Sequence, residues 1–197
     1  QLSRGLGDVY KRQHIDIAVK NNVSKWQKEL DAELMPNNVL RLSESGLISD
    51  KKGYDTGEWW VQDYSSQLPV KCLTIGQDDE ILDLCAAPGG KTAQMLALGA
   101  KVHSIDLSDK RIIRFKENMR RLKFNPVIDN ADILTYKTEK KWQKILLDVP
   151  CSSTGTIRKN PDILYSKNEK SVSNLVNLQT RLLEKSWSLL GLSLIHI

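Results

Sequence analysis

The chain has 197 residues, with 29 Lys and Arg against 24 Asp and Glu, a formal net charge of +5. That length suits one domain with a sizeable core and a smaller appendage, and the mild positive charge is compatible with a polyanionic partner without requiring one. Three cysteines and three histidines without metal-ligand spacing argue against a zinc site, and no apolar run approaches the ~20 residues of a membrane span, so a metal-free, non-membrane protein of a reducing cytoplasm is expected.

In chain order, the terminal strings QLSRGLGDVYKRQ (residues 1–13) and LSLIHI (192–197) resemble translated adapter sequence and are set aside as a non-native leader and tail. Residues 14–68 read as a small α+β subdomain: a strand in HIDIAVK, an amphipathic helix in VSKWQKELDAE and a strand in VLRL. GYDTGEWWVQDYSSQLP follows as a loop leading into a short helix, and its Trp59–Trp60 pair is read as packing rather than as a base-stacking platform. Over residues 69–191 the pattern is clearer. EILDLC is an apolar strand ended by the turn AAPGG, KTAQMLALG a helix stopped by Gly99, and KVHSID a second strand. Ser108 caps the next helix, DKRIIRFKENMRRLKF, which Asn125–Pro126 terminates. Its apolar face is Ile112, Phe115, Met119 and Leu122, and its basic surface is read as ordinary solvated polarity. PVIDNAD and KILLDVP supply two more strands, and a last helix over residues 171–190 carries Leu175, Leu178, Leu182 and Leu189. Strands alternating with helices predict an α/β fold with a parallel sheet.

Ligands of such sheets bind beyond the carboxyl ends of the strands. Four loops converge there in the sequence reading. DLCAAPGGKT offers paired glycines that let a backbone approach a ligand, although it is not a Walker loop. Asp106 ends the second strand, where an acid can accept from both ribose hydroxyls of an adenosine. Asp132 follows the third strand within reach of an adenine amino group, and Asp148-Val-Pro-Cys151 follows the fourth. An adenosine cofactor without a phosphate loop suggests S-adenosylmethionine rather than ATP; NAD stays open, although G-x-G-x-x-G is absent. A cysteine near a methyl donor suits carbon methylation of cytosine. Carbon 5 becomes nucleophilic only after a thiolate has added to carbon 6, which is covalent catalysis. On these residues alone Cys151 could be nucleophile, accessory group or packing.

DLCAAPGGKT followed by DVPCSSTGTIRKNPD resembles the RNA cytosine-5 methyltransferase family, and WWVQDYSSQLP with LQTRLL is similar to its bacterial Fmu/Sun branch of 16S ribosomal RNA enzymes. The resemblance covers residues 14–191. It implies a Rossmann-like class I S-adenosylmethionine-dependent methyltransferase fold with an incomplete sheet, a 16S ribosomal RNA substrate and a monomeric full-length protein. It implies further that Cys85, Ala86, Ala87, Pro88, Gly89, Gly90 and Lys91 cradle the cofactor, that Asp106 holds its ribose and Asp132 its adenine, and that Asp148 and Lys91 face cofactor and cytosine together. Arg158 and Lys159 become RNA contacts. Cys151 becomes the thiol that helps to release the product, because the family's covalent nucleophile resembles the Cys of a Thr-Cys pair, and this sequence contains none. Val149 stands where the family usually has Ala, which crowds the loop. The family's strand order makes KILL central, so without a further strand it would expose an apolar edge, and the chain as given is expected to be poorly soluble and inactive. The NusB-like RNA-binding domain of the bacterial branch is also absent from the residues given. A DNA cytosine-5 methyltransferase is disfavoured by SSTG and TIRKNPD, and a non-catalytic RNA-binding or ribosome assembly factor by the intact APGGK loop.

Overall fold

A computed structural model describes residues 14–43, 46–157, 163–166 and 168–191. The leader and tail at residues 1–13 and 192–197, and the expected RNA contacts Arg158 and Lys159, lie outside the described residues.

The first half is an antiparallel sheet of β1 (Ile15–Val19), β2 (Ala32–Met35), β3 (Val39–Leu42) and β4 (Trp59–Val61) in the order β2-β3-β1-β4, with α1 (Val23–Glu29) between the first two strands. Asp16 sits buried in the middle of β1 because Arg41 on β3 holds both of its oxygens, at 2.7 and 3.0 Å, and the Tyr64 N–H donates to it at 3.0 Å. Two strands differ from the sequence reading, which runs β2 into the preceding helix and leaves β4 as loop. β4 is three residues long and exists through its pairing with β1, Ala18 opposite Trp60. Successive residues of a strand point to opposite faces. Trp59 therefore packs with Ile17, Trp26 and Leu42 on one side, while Trp60 packs with Ala86, Ala93 and Phe115 on the other. Both indoles are buried, as the packing reading of the pair expects.

The second half is a parallel sheet of β5 (Glu80–Leu84), β6 (Lys101–Asp106), β7 (Val127–Asn130) and β8 (Lys144–Leu147) in the order β7-β6-β5-β8. Its helices are α2 (Tyr64–Cys72), α3 (Gly90–Ala97), α4 (Asp109–Arg121) and the long α5 (Glu169–Leu189), after a single helical turn at Ile163–Ser166. Both faces of β5 and β8 are covered, which is why these strands are mostly apolar. Ile81, Val102 and Leu146 pack on Val70 of α2, on Leu73 just after it and on Met95 of α3. Leu82, Leu84, Ile105 and Ile145 pack on Trp142 and on Leu182 and Leu189 of α5. The predicted apolar face of α4, Ile112, Phe115, Met119 and Leu122, is buried, and the Ser108 side chain accepts from the Arg111 N–H as its cap.

β8 is an outer strand among the described residues, where the family's order makes it central. Its far side carries one isolated parallel bridge, Trp142 to Leu190, with the Gly191 N–H donating to the Trp142 carbonyl at 2.9 Å. The chain leaving α5 thus turns alongside β8. Beyond the strands, the carboxyl ends are tied by Ala86 N–H to Ile105 O, Ala131 N–H to Asp106 O and Asp148 N–H to Leu84 O.

Candidate active site at the carboxyl edge of the parallel sheet

The loop between β5 and α3 is shaped by two residues of positive φ, Cys85 at 61° and Gly89 at 100°. A Cβ at Gly89 would meet Met119 Cε at 2.8 Å and Phe115 Cδ2 at 2.9 Å, so this glycine is required by backbone conformation and by packing on α4. Gly90 differs: the nearest atoms a Cβ there would meet belong to Gln62, at an ordinary 3.5 Å. Its bareness keeps open the cleft it lines.

Asp106 at the end of β6 is 2 % exposed, and its carboxylate is engaged with the loop. Oδ2 accepts from the Ala87 N–H at 3.0 Å and lies 3.4 Å from Arg111 Nη1, while Oδ1 accepts from the Ser108 N–H at 3.0 Å. Arg111 also donates to the Ala87 carbonyl, so both polar groups of that residue are held. Asp132 is half-buried, and its Oδ1 accepts from the Leu134 N–H at 2.9 Å in a local turn.

A cleft of about 250 Å³ opens between this loop, the end of β8 and the segment joining β4 to α2. It gathers Cys85, Ala86, Ala87, Pro88, Gly90, Lys91 and Asp148 of the expected set, whereas Gly89, Asp106, Asp132 and Cys151 do not line it. Lys91 Nζ stands 2.6 Å from Asp148 Oδ2, the lysine side chain 16 % exposed and the carboxylate 53 %. At the floor lies Asp83, fully buried. Thr92 Oγ1 donates to Asp83 Oδ2 at 2.5 Å, and Oδ1 has no partner among the described residues. Burial pushes this carboxyl up to about 7; Thr92 and Lys91 oppose that rise, and the nearby Asp148 and Asp106 add to it. Burial likewise pushes the Cys85 thiol up to about 12, with Asp106 and Asp148 contributing in the same direction. Cys85 is therefore a neutral thiol in the cleft wall. Cys151 is exposed; its Sγ accepts from the Ser153 N–H at 3.4 Å, and its loop is tied to α5 through Gln179 Nε2 donating to the Pro150 carbonyl at 2.7 Å.

Three contributors to the cleft lie inside the quoted motifs but receive no role in the sequence reading. Asp83 opens DLCAAPGGKT, where its signal is a lone acid inside an otherwise apolar strand, and Gln62 and Ser66 lie in WWVQDYSSQLP. Gln62 and Ser66 line the cleft from the segment before and within α2. Gln62 accepts from Trp60 Nε1 at 2.8 Å and donates to Gln94 Oε1 at 3.1 Å, which links the antiparallel sheet to α3.

The family described as 16S rRNA methyltransferase RsmB/F matches residues 70–193. The chain belongs to this RsmB/F family. Ribosomal RNA small subunit methyltransferase B of Yersinia enterocolitica is 36% identical over 169 residues, covering 81% of this chain and 39% of that protein. Its counterpart in Yersinia pestis is 36% identical over 168 residues, with 82% and 39% covered. The chain thus spans about two fifths of the length of these curated relatives. Among solved structures, a methyltransferase homolog protein from Pyrococcus horikoshii superposes with a TM-score of 0.78 at 25% identity, over 94% of this chain and 63% of that one. NSun6 from Pyrococcus horikoshii, solved with SFG, superposes with a TM-score of 0.67 at 28% identity, over 75% and 39%. The RsmB/F chain has the Rossmann-like fold of class I S-adenosylmethionine-dependent methyltransferases with an additional N-terminal subdomain, as the resemblance implied. No described helix is long and apolar enough to cross a membrane.

The residues of the cleft fit S-adenosylmethionine. That molecule carries an ammonium and a sulfonium, and Asp83 presents a buried carboxylate oxygen without a partner at the cleft floor. A bare Gly90 leaves room over the loop.

Proposed function

We propose that the protein to which this chain belongs methylates carbon 5 of a cytosine in 16S ribosomal RNA, in the cytoplasm. The observation that carries the reading is the Lys91–Asp148 pair at 2.6 Å, set in the same cleft as the Gly90 backbone and Asp83. The cofactor supplies an electrophilic methyl group. Asp83 would hold its ammonium, the backbone of Cys85 to Gly90 its methionine portion, Asp106 its ribose and Asp132 the adenine side.

The chain's own residues prepare the base. Addition of a thiolate to carbon 6 drives negative charge onto the pyrimidine ring toward O2 and N3. The Lys91 ammonium is the cation in the cleft able to stabilise that charge, and Asp148 can accept from the cytosine amino group while keeping Lys91 in place. Lys91 is mostly screened from water, which strengthens both interactions. Cys85 is excluded as the attacking group, since its thiol is held neutral. The resemblance assigns the attack to a cysteine of a Thr-Cys pair that this sequence lacks, and assigns release to Cys151. Release needs the carbon-5 proton removed and the added thiol eliminated, and the exposed Cys151 on its α5-anchored loop suits that second step. Arg158 and Lys159 would contact the RNA.

The test uses the full-length protein with Cys151→Ser, 16S RNA and the cofactor. The expected result is loss of turnover with a covalent, already methylated protein–RNA adduct on denaturing gels. Normal turnover without an adduct, or a wild-type product methylated on nitrogen, refutes the assignment.

A further inference from the structure

The charge of the chain is concentrated in one place. Residues 109–124 hold seven Lys and Arg against two acids, so this stretch carries the whole formal net charge of +5, and the basic and acidic residues elsewhere cancel. Arg111 and Arg121 are turned to internal partners, the carbonyls of Ala87, Tyr54 and Trp59. Lys116, Arg120 and Lys123 are not. Spaced i, i+4 and i+7, they fall along one edge of α4 and its C-terminal turn, and line a groove of about 530 Å³ together with Phe115, Phe124 and Pro126.

No acid lines this groove, and among the described residues none of its three cations enters an ion pair. Some exposed lysines elsewhere are paired, Lys52 with Glu29, Lys101 with Asp78 and Lys140 with Glu80. Lys28, Lys137 and Lys170 enter no ion pair among the described residues but stand singly rather than in a groove. Like charges at i, i+4 disfavour a helix, so the cluster persists at a cost. Its field reaches Lys20, whose ammonium lies 4.4 Å from the centre of the Phe124 ring. Unpaired cations beside aromatic and proline faces are the composition that tracks a phosphodiester backbone and offers a surface to its bases.

We propose that this groove docks a segment of the RNA substrate outside the target cytosine, with Lys116, Arg120 and Lys123 on its phosphates. The choice of RNA as the polyanion rests on the function proposed above. The groove lies on the helix that also supports the cofactor loop, since Phe115 and Met119 pack under Gly89. RNA seated there is anchored to the element that shapes the cleft.

The test compares two triple variants of the full-length protein, Lys116→Gln/Arg120→Gln/Lys123→Gln in the groove and Lys28→Gln/Lys137→Gln/Lys170→Gln at scattered exposed sites. Both remove the same charge. Binding of a fluorescent 16S RNA hairpin is followed by anisotropy from about 50 to about 200 mM salt, where each phosphate contact contributes roughly 0.7 to 0.9 to the slope of log K against log salt. The groove triple is expected to flatten the slope by about 2 to 3 and to weaken binding at least about tenfold near 0.1 M salt. The scattered triple should keep the wild-type slope. Melting temperature and S-adenosylhomocysteine affinity should be unchanged in both, and the single variant Arg120→Glu gives the same direction with less perturbation. Equal loss in the two triples, an unchanged slope in the groove triple, or no RNA binding by the wild type overturns the proposal. Methylation activity is read separately: a wild-type enzyme that methylates 16S RNA while the groove triple binds it normally sinks the groove and leaves the function standing.

Discussion

Asp83→Asn should make the protein more stable and less able to bind its cofactor. The carboxyl is pushed up to about 7 in the fold by burial, whereas in an unfolded chain it titrates near ~4. Between those values the folded state keeps a proton that the unfolded state has released. Stability is therefore fully retained below about pH 4, falls as pH rises through the interval and levels off above about 7. Roughly three pH units correspond to about 4 kcal/mol. The substituted amide keeps an acceptor for Thr92 but places an N–H where the unpartnered oxygen was, which costs about 1 to 2 kcal/mol. The net gain expected at pH 8 is about 2 kcal/mol, vanishing near about pH 5 and becoming a loss of about 1 kcal/mol by about pH 4. Urea denaturation followed by tryptophan fluorescence at several pH values measures it, and the difference between the two proteins isolates Asp83 from other titrating groups. Cofactor affinity, by calorimetry, should tighten with rising pH through about 7 in the wild type and fall at least about tenfold in the variant, because a buried carboxylate facing an ammonium is lost. A wild-type stability that rises from pH 5 to pH 8 relative to the variant, or a variant that binds S-adenosylmethionine normally, would refute the reasoning.

The paired glycines should separate stability from binding. Gly89→Ala puts a methyl 2.8 Å from Met119 at a φ of 100°, so a loss of about 2 to 4 kcal/mol is expected in denaturation; Gly90→Ala should change stability by less than about 1 kcal/mol yet weaken cofactor binding, and the opposite ranking would contradict the packing assigned to the loop. Gln62→Leu leaves the buried Trp60 N–H without its acceptor and Gln94 Oε1 without its donor. A cost of about 2 to 4 kcal/mol is expected, accompanied by weaker cofactor binding; an unchanged melting temperature would remove Gln62 from the link between the two sheets.

The parallel half is legible because its signals are local. Mostly apolar runs mark β5 and β8, a glycine pair marks the turn, and Ser108 followed by Ile112, Phe115 and Met119 marks a capped amphipathic helix. β2 and β4 are not legible for the opposite reason. Leu34 and Val61 are exposed although apolar, and each strand forms because β3 or β1 offers an edge in register. Sequence periodicity over three or four residues does not carry that information. The acids show the same division. Asp106 and Asp148 are recognisable from their place at strand ends, but the clamp of Asp106 and Arg111 on Ala87 joins residues distant in the chain.

The two cysteines of the motifs show why position alone does not assign chemistry. Cys85 lines the cleft, yet the burial that gives it that place pushes its thiol up and keeps it neutral. Cys151 is exposed to solvent and lies outside the cleft lining, on a loop held by α5. A thiolate that adds to carbon 6 must be both ionisable and directed at the base above Lys91 and Asp148. Neither cysteine meets both conditions in this arrangement. Release is less demanding, because the base is already bound covalently and the group need only reach the carbon-5 side of it. On the function proposed above, the DVPC motif would contribute two separable functions: Asp148 in the cleft with Lys91, and Cys151 from the loop that follows.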